Sequence, residues 1–171
     1  MIYVIKKENP IVEIQEREIM LGQLNNFQID RVLLSETHAH LGCHADGMTY
    51  VVPVAYVFEK DGENEYIYGY TIEGQKTNMM RKNPEVCVQV ETIHSPAHWQ
   101  SVITWGTFEE LNGAEASHAI QIITSRMHPF ITTQTTRPAH SMEQLHRNAD
   151  PGKETVAYRI KLYKKSGRFE R

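Results

Sequence analysis

The sequence lacks the features that mark several large protein classes. It has only two cysteines, Cys43 and Cys87, and no CxxC pair. One disulfide is conceivable, but two buried thiols are the simpler interpretation. No apolar run approaches the roughly 20 residues that span a membrane. The first ten residues, MIYVIKKENP, contain no long apolar segment, so no signal peptide is expected. We therefore expect a cytoplasmic protein with no membrane partner.

The chain also lacks an excess of positive charge. It carries 18 Lys and Arg against 21 Asp and Glu, a net charge of −3, so nonspecific nucleic-acid binding is not expected. Apolar residues make up 40% of the chain, enough for an ordinary core. The length of 171 residues predicts one domain, with residues 1–24 as an N-terminal extension and residues 112–154 as a helical and loop insertion before the last strand.

Sequence motifs of well-known catalytic sites are absent as well. The chain has no GxGxxG, GxxxxGK[ST], GxSxG or HExxH. His38, His40 and His44 alternate along one predicted strand, an arrangement that suits metal chelation. No carboxylate or thiolate completes such a site, so a polar strand face is the preferred interpretation and no metal is predicted. His40 and His44 remain candidate proton donors beside a bound cofactor.

Hydrophobic periodicity and turn residues predict short antiparallel strands with flanking helices. Asn25 followed by Gln28 predicts a capping box, and Asp46-Gly47 predicts a hairpin turn. The predicted strands cover residues 38–45, 49–59, 65–71, 85–91, 99–111 and 155–163. The predicted helices cover residues 74–82 and 114–127, with one more after Asn25 and a short one near residues 141–144. This number of short strands favours a barrel.

Pro53 interrupts the second predicted strand. Because proline cannot donate to a ladder, Pro53 predicts an edge, a bulge, or a place where something other than a strand lies alongside. The apolar residues of this strand do not alternate with polar ones, which predicts that both of its faces are covered.

Gly74, Gln75 and Lys76 form a corner where a predicted strand gives way to a helix. Helix N-termini offer unpaired N–H groups and a favourable dipole to anions, and Lys76 adds a positive charge. Thr77 adds a hydroxyl, and Tyr70 offers an aromatic wall to a planar ring. A solvated surface lysine after a glycine turn is the alternative, since GxK occurs often by chance.

Four segments in order resemble a known family: YVVPVAYVFE, IYGYTIEGQK, MMRKNPEVCVQVE and WQSVITWGTFEEL. They resemble the pyridoxamine 5′-phosphate oxidase-related, FMN-binding split-barrel proteins. The chain is most similar to the branch of 5-nitroimidazole-resistance (Nim) proteins, as LGCHADG and YRIKLYKKSGRFER also indicate. The resemblance implies a mostly β fold with flanking helices, namely a six-stranded antiparallel split β-barrel. It also implies a homodimer with flavin at the interface.

The resemblance further implies where FMN, or alternatively FAD, would bind. The phosphate would lie at the Gly74 corner, although the Ser-Arg-Lys of the oxidases is reduced here to Lys76. The flavin ring would lie along residues 51–56, and the partner subunit would contribute near residues 99–101. Room for the adenylate of FAD is expected near residues 94–99 or 132–138. The implied cofactor-binding residues are Val51, Val52, Pro53, Val54, Ala55, Tyr56, Gly69, Tyr70, Gly74, Gln75, Lys76, Thr77, Trp99 and Ser101.

The activity implied by the resemblance is flavin-dependent reduction of small electrophilic compounds such as nitroaromatics, with NAD(P)H as electron donor. Vitamin B6 oxidation is less favoured, because the basic substrate-phosphate residues and C-terminal arginine motif of the oxidases are not recognisable. Two alternatives stay open. One is a flavin-binding or flavin-sensing protein without turnover, since no acid/base pair is evident. The other is a haem-binding split barrel, given the nine histidines.

Overall fold

The computed structural model describes residues 20–131 and 155–171. The predicted loop at residues 132–138 and the helix near residues 141–144 lie outside the described residues. The elements are β1 (Leu21–Gln23), α1 (Asn26–Ser35), β2 (His38–Ala45), β3 (Met48–Ala55), β4 (Val57–Asp61), β5 (Asn64–Ile72), α2 (Gln75–Lys82), β6 (Glu85–Ser95), β7 (His98–Leu111), α3 (Gly113–Ile131) and β8 (Thr155–Glu170).

The strands form one antiparallel sheet that curls on itself. Its order is β3-β2-β6-β7-β8-β5-β4, with β1 paired to β8. Only Tyr56 separates β3 from β4 in the chain, yet these strands end the ladder on opposite sides. The sheet must therefore bend until its ends meet, while the ladder stays open between them. The prediction of a mostly β, antiparallel split barrel with flanking helices is confirmed.

The strand count differs from the predicted six. The described residues contain eight strands, because β1 is added and the predicted strand 49–59 divides at Tyr56. The Tyr56 hydroxyl donates to Leu33 O at 2.8 Å and its N–H donates to Thr37 O at 3.1 Å. These long-range bonds hold Tyr56 in the core, so the chain leaves β3 there and enters β4.

Three other predicted boundaries are wrong. β6 and β7 continue through the predicted loop 92–98 and pair as far as Ser95 and His98. α3 runs past Pro129 to Ile131, since proline removes one helical hydrogen bond without forcing a helix to end. β8 runs to Glu170 instead of ending at residue 163, because its added residues pair with both β7 and β1.

Local signals in the sequence are confirmed. Asn25 and Gln28 exchange the two bonds of a capping box at 3.0 Å and 2.9 Å. Asp46 and Gly47 have φ of 52° and 75°, the left-handed pair that a tight hairpin turn needs. The β7–β8 register shifts between Trp105 and Gly106, and a glycine inside a strand often marks such a bulge.

The apolar core fills the curled sheet and is closed by α1, while α2 packs on β2 and α3 packs across β5 and β8. Its fully buried side chains include Leu41, Val88, Val102, Tyr158 and Ile160. β3 departs from expectation, since Val51 is 60% exposed and no part of the chain that the structure describes covers the outer face of this strand. No helix of the described residues is long and apolar enough to cross a membrane.

Candidate functional site

The corner after β5 has an open helix N-terminus. Gly74 precedes α2 and has no side chain with which to cap it. The first turn contains no acidic residue, and within the described residues no side chain accepts from its N–H groups. The N-terminus of α1, by contrast, is closed by Asn25. The first N–H groups of α2 are therefore available to an anion.

Lys76 lies in this first turn without a carboxylate partner among the described residues. Burial lowers the pKa of its ammonium, while the nearby Cys43 thiol acts in the opposite direction. The helix dipole also disfavours a cation at this end. A half-buried lysine in an unfavourable position fits a ligand that carries negative charge. The donors at the corner therefore suit a phosphate group.

Glu73, the residue before Gly74, does not oppose such an anion. Arg81 donates to its two carboxylate oxygens at 2.5 Å and 2.9 Å and also binds Glu110 on β7. The hydrogen bond from Arg81 holds the pKa of Glu73 below its usual range. The negative charge nearest the corner is thus paired with Arg81, which in turn ties α2 to β7. No local pattern in the sequence indicates this pairing.

The side chain of Thr77 is not placed where it could contact a ligand. Its side chain is fully buried, and its hydroxyl donates to Gly74 O at 2.7 Å and accepts from Gly74 N at 2.9 Å. It fixes the shape of the corner rather than facing its surface. Gln75, next to it, is exposed.

β3 presents an unpaired edge. Because Tyr56 N–H bonds to Thr37 O and hydrogen-bonded pairs alternate along an antiparallel ladder, Val51, Pro53 and Ala55 belong to its non-bonded pairs. Their main-chain groups therefore point to the open edge, where no described backbone group meets them. Pro53 removes no hydrogen bond from the ladder there, as predicted for an edge position. The outward N–H groups nearest to Pro53 therefore belong to Val51 and Ala55, two residues away on either side.

Gly69 and Tyr70 lie on β5, on the way to the corner. A Cβ on Gly69 would come within 2.4 Å of the Tyr158 ring, so the core requires a glycine there. Tyr70 is half-buried, and burial raises the pKa of its hydroxyl. The side chain of Tyr56 is buried and bonded to Leu33, so it is not available to a ligand at the open edge.

The remaining candidates share the outer face of the sheet, away from the corner. The register places His40, His44, Pro53 and Trp105 on this face. Trp99 and Ser101 lie farther along it and line a shallow cavity of about 200 Å³ with Ile103 and Arg168. Trp99 donates to Glu170 at 2.8 Å. One chain therefore does not bring Trp99 and Ser101 to the Gly74 corner.

The model of the pyridoxamine 5′-phosphate oxidase family matches residues 26–169. The chain belongs to this family. A curated relative, an uncharacterised protein of Rhizobium meliloti (strain 1021), is 32% identical over 80 residues, which are 47% of this chain and 50% of that protein. The chain thus spans about half the length of the curated relative that it matches.

Solved structures of similar fold extend over most of this pyridoxamine 5′-phosphate oxidase-family chain. An FAD-binding protein from Mesorhizobium loti is 25% identical, with a TM-score of 0.68 over 90% of this chain and 98% of that one. A candidate 5-nitroimidazole antibiotic resistance protein from Bacteroides thetaiotaomicron is 19% identical, with a TM-score of 0.63 over 90% of both chains. The second likeness shows the shared fold alone.

This family member also has a cavity beside the corner that the sequence did not reveal. Its volume is about 450 Å³, and it lies between the β2–β3 hairpin and α2. The lining residues are Ala45, Asp46, Met48, Gly74, Gln75, Asn78, Met79 and Lys82. Only the spacing of Gln75, Asn78 and Lys82 on one helical face would have pointed to it.

The histidines of β2 do not form a metal-binding group in this family member. His38, His40 and His44 are exposed on β2, and the His44 ring is bonded to the Thr49 hydroxyl at 3.1 Å. Within residues 20–131 and 155–171, no group of three or more His, Cys, Asp or Glu side chains is arranged to hold a metal ion.

Proposed function

We propose that this protein binds a flavin nucleotide, with the flavin phosphate at the N-terminus of α2. The observation that carries the proposal is the uncapped first turn of α2 beside Lys76, which lacks a carboxylate partner in the described residues. The dipole, the open N–H groups and the ammonium all favour a dianionic phosphate at this point. Thr77 and the Arg81–Glu73 pair hold the corner in shape.

The open edge of β3 supports a planar ring on the same side of the molecule. Met48 at the start of β3 lies beside Gln75, with Gln75 Nε2 at 3.5 Å from the Met48 sulfur. The edge leads from there past Val51 and Pro53. The main-chain N–H and C=O groups at this edge match the alternating donors and acceptors along the edge of an isoalloxazine. The flavin would thus extend from the corner along β3.

A homodimer would complete the site. The outer sheet face exposes Val51 at 60% and Ile103 at 38%, together with half-buried Trp105. Apolar side chains grouped on one face favour contact with another protein surface. A second copy placed on this face would bring its own Trp99 and Ser101 toward the flavin of the first.

The proposed activity is reduction of a small electrophilic compound, such as a nitroaromatic, with NAD(P)H as electron donor. Bound flavin supplies the two-electron chemistry. The residues of this chain hold the phosphate, align the ring along β3 and exclude water from one side of it. His40 and His44 stay candidate proton donors, since both lie exposed on the strand paired with β3.

The absorption spectrum of the purified protein tests flavin binding. We expect a yellow protein whose cofactor, released by heat, is identified by chromatography as FMN or FAD. A colourless protein that takes up neither compound on titration would contradict the proposal.

Flavin binding without turnover is the second candidate. It is favoured by the corner itself, where every described carboxylate is paired with a cation and no acid/base pair faces the open edge. Reduction of the bound flavin by NADPH, followed by reoxidation with a nitroaromatic, would exclude it. Flavin that stays oxidised under NADPH and NADH would favour it over the reductase.

A further inference from the structure

The cavity beside the Gly74 corner extends the proposed flavin site beyond the phosphate. It shares Gly74 and Gln75 with the corner and continues along the exposed side of α2 to Lys82. A ligand that ends at its phosphate leaves this space to solvent. A ligand with a further group beyond its phosphate can place that group in the cavity. The volume of about 450 Å³ falls within the usual range for small-molecule sites, about 300–1,000 Å³.

The walls of the cavity match an adenosine group. Ala45 and Met79 are buried and, with Met48, give an apolar surface. Methionine sulfur makes favourable contacts with aromatic rings. Gln75 and Asn78 add two carboxamides, which are the side chains that pair with the polar edge of adenine. One part of the lining therefore suits the faces of a purine and another suits its edge.

The contacts that cross the cavity are weak. Gln75 donates to the Met48 sulfur, a poor acceptor, at 3.5 Å. Lys82 pairs with Asp46 at the far end, but their side chains are 61% and 71% exposed. Exposed ion pairs of this kind contribute little to stability. Entry of a ligand between the hairpin and α2 would therefore meet little resistance.

We infer that this protein selects FAD over FMN, with the adenylate half of FAD in the cavity between the β2–β3 hairpin and α2. The inference rests on the proposed flavin site and names its nucleotide. It also replaces the expectation that residues 94–99 would house the adenylate. Those residues end β6 and begin β7, roughly 30 Å along the strand from Glu85, where β6 leaves α2.

Fluorescence titration of flavin-free protein with FMN and with FAD tests the inference. We expect the wild type to bind FAD at least about tenfold more tightly than FMN. Asn78→Trp fills the cavity and should remove most of this preference while FMN affinity stays the same. Asn64→Trp, at an exposed position of β5 outside the cavity, is the matched control and should keep the preference. Met48→Trp, on the opposite wall, should repeat the effect of Asn78→Trp.

The outcomes separate this inference from the proposed function. Equal affinity for the two flavins, or an FAD preference that survives both tryptophan variants, would overturn the adenylate site and leave the flavin phosphate site standing. Unchanged FMN binding shows that a tryptophan variant is folded. If the wild type binds neither flavin, the proposed function fails and the adenylate site fails with it.

Discussion

Arg81 binds Glu73 through two guanidinium nitrogens and binds Glu110 through two, with all four distances between 2.5 Å and 3.0 Å. This pairing neutralises the carboxylate next to Gly74 and fastens α2 to β7. An unpaired carboxylate at that point would repel a phosphate. Arg81 is therefore a positioning residue for the corner, although it faces no proposed ligand atom.

Replacing Arg81 by Gln should weaken flavin binding by about fivefold, because the Glu73 charge is then exposed beside the phosphate. Glu73→Gln in the same chain should recover most of the loss, since it removes that charge. Fluorescence titration of the two single variants and the double variant measures this coupling. Strictly additive losses would show that Arg81 does not act through Glu73.

Replacement by alanine should affect stability differently at Gly69 and at Gly74. A Cβ on Gly69 meets the Tyr158 ring at 2.4 Å, whereas a Cβ on Gly74 meets only Ile72 O, at 3.9 Å. Gly69→Ala should therefore lower the free energy of unfolding by about 1–3 kcal/mol. Gly74→Ala, the matched control, should change it little. Urea denaturation compares the two, and equal losses would contradict the packing role of Gly69.

Asp30 should make stability depend on acid pH. Burial raises the pKa of its carboxyl, but hydrogen bonds from Lys165 and Lys60 outweigh this and hold the pKa below 3.8. The folded state therefore binds fewer protons at this site than the unfolded state does. The stabilisation is fully present at pH values well above the ordinary pKa of an aspartate, and it is lost as the pH falls through the lowered pKa of the folded state.

Asp30→Asn should therefore lower the free energy of unfolding at pH 7 by about 1–3 kcal/mol. The difference from wild type should shrink in strongly acid solution, where the wild-type carboxyl is also neutral. Urea melts across this pH range measure it. If the difference in the free energy of unfolding between Asp30→Asn and wild type is the same at every pH, the charge of Asp30 is not the source of the stabilisation.

The outer sheet face should be needed for self-association. Ile103→Glu places a charge among the apolar residues of this face and should convert a dimer to a monomer with weaker flavin binding. Phe27→Glu, at a site on α1 that is 70% exposed, is the control and should leave the oligomeric state unchanged. Light scattering coupled to size exclusion measures the mass. A wild-type monomer that binds flavin would contradict the proposed dimer.

Short-range signals carried most of the correct sequence predictions. Asn25 with Gln28 and Asp46 with Gly47 act within a few residues, so their structures are readable from the sequence. The division of the predicted strand at Tyr56 is not readable in this way, because it depends on Leu33 and Thr37. The extension of β8 likewise depends on pairing with β1 and β7.

The candidate site was likewise predictable from the sequence only in its local features. The sequence located the corner at Gly74 and Lys76, since a helix start after a glycine is a local feature. It did not indicate that the Thr77 hydroxyl is fully used by Gly74, or that Glu73 is paired with Arg81. The cavity was missed because its walls come from a hairpin and a helix that are far apart in the chain.

The titration of FMN into Lys76→Ala tests the central claim most directly. FMN isolates the phosphate contact, and Lys161→Ala, an exposed lysine on β8, is the control for a simple change in net charge. Loss of a charged hydrogen bond predicts about 10- to 100-fold weaker binding for Lys76→Ala and unchanged binding for Lys161→Ala. Equal FMN affinity in Lys76→Ala and wild type would show that the flavin phosphate does not lie at the Gly74 corner.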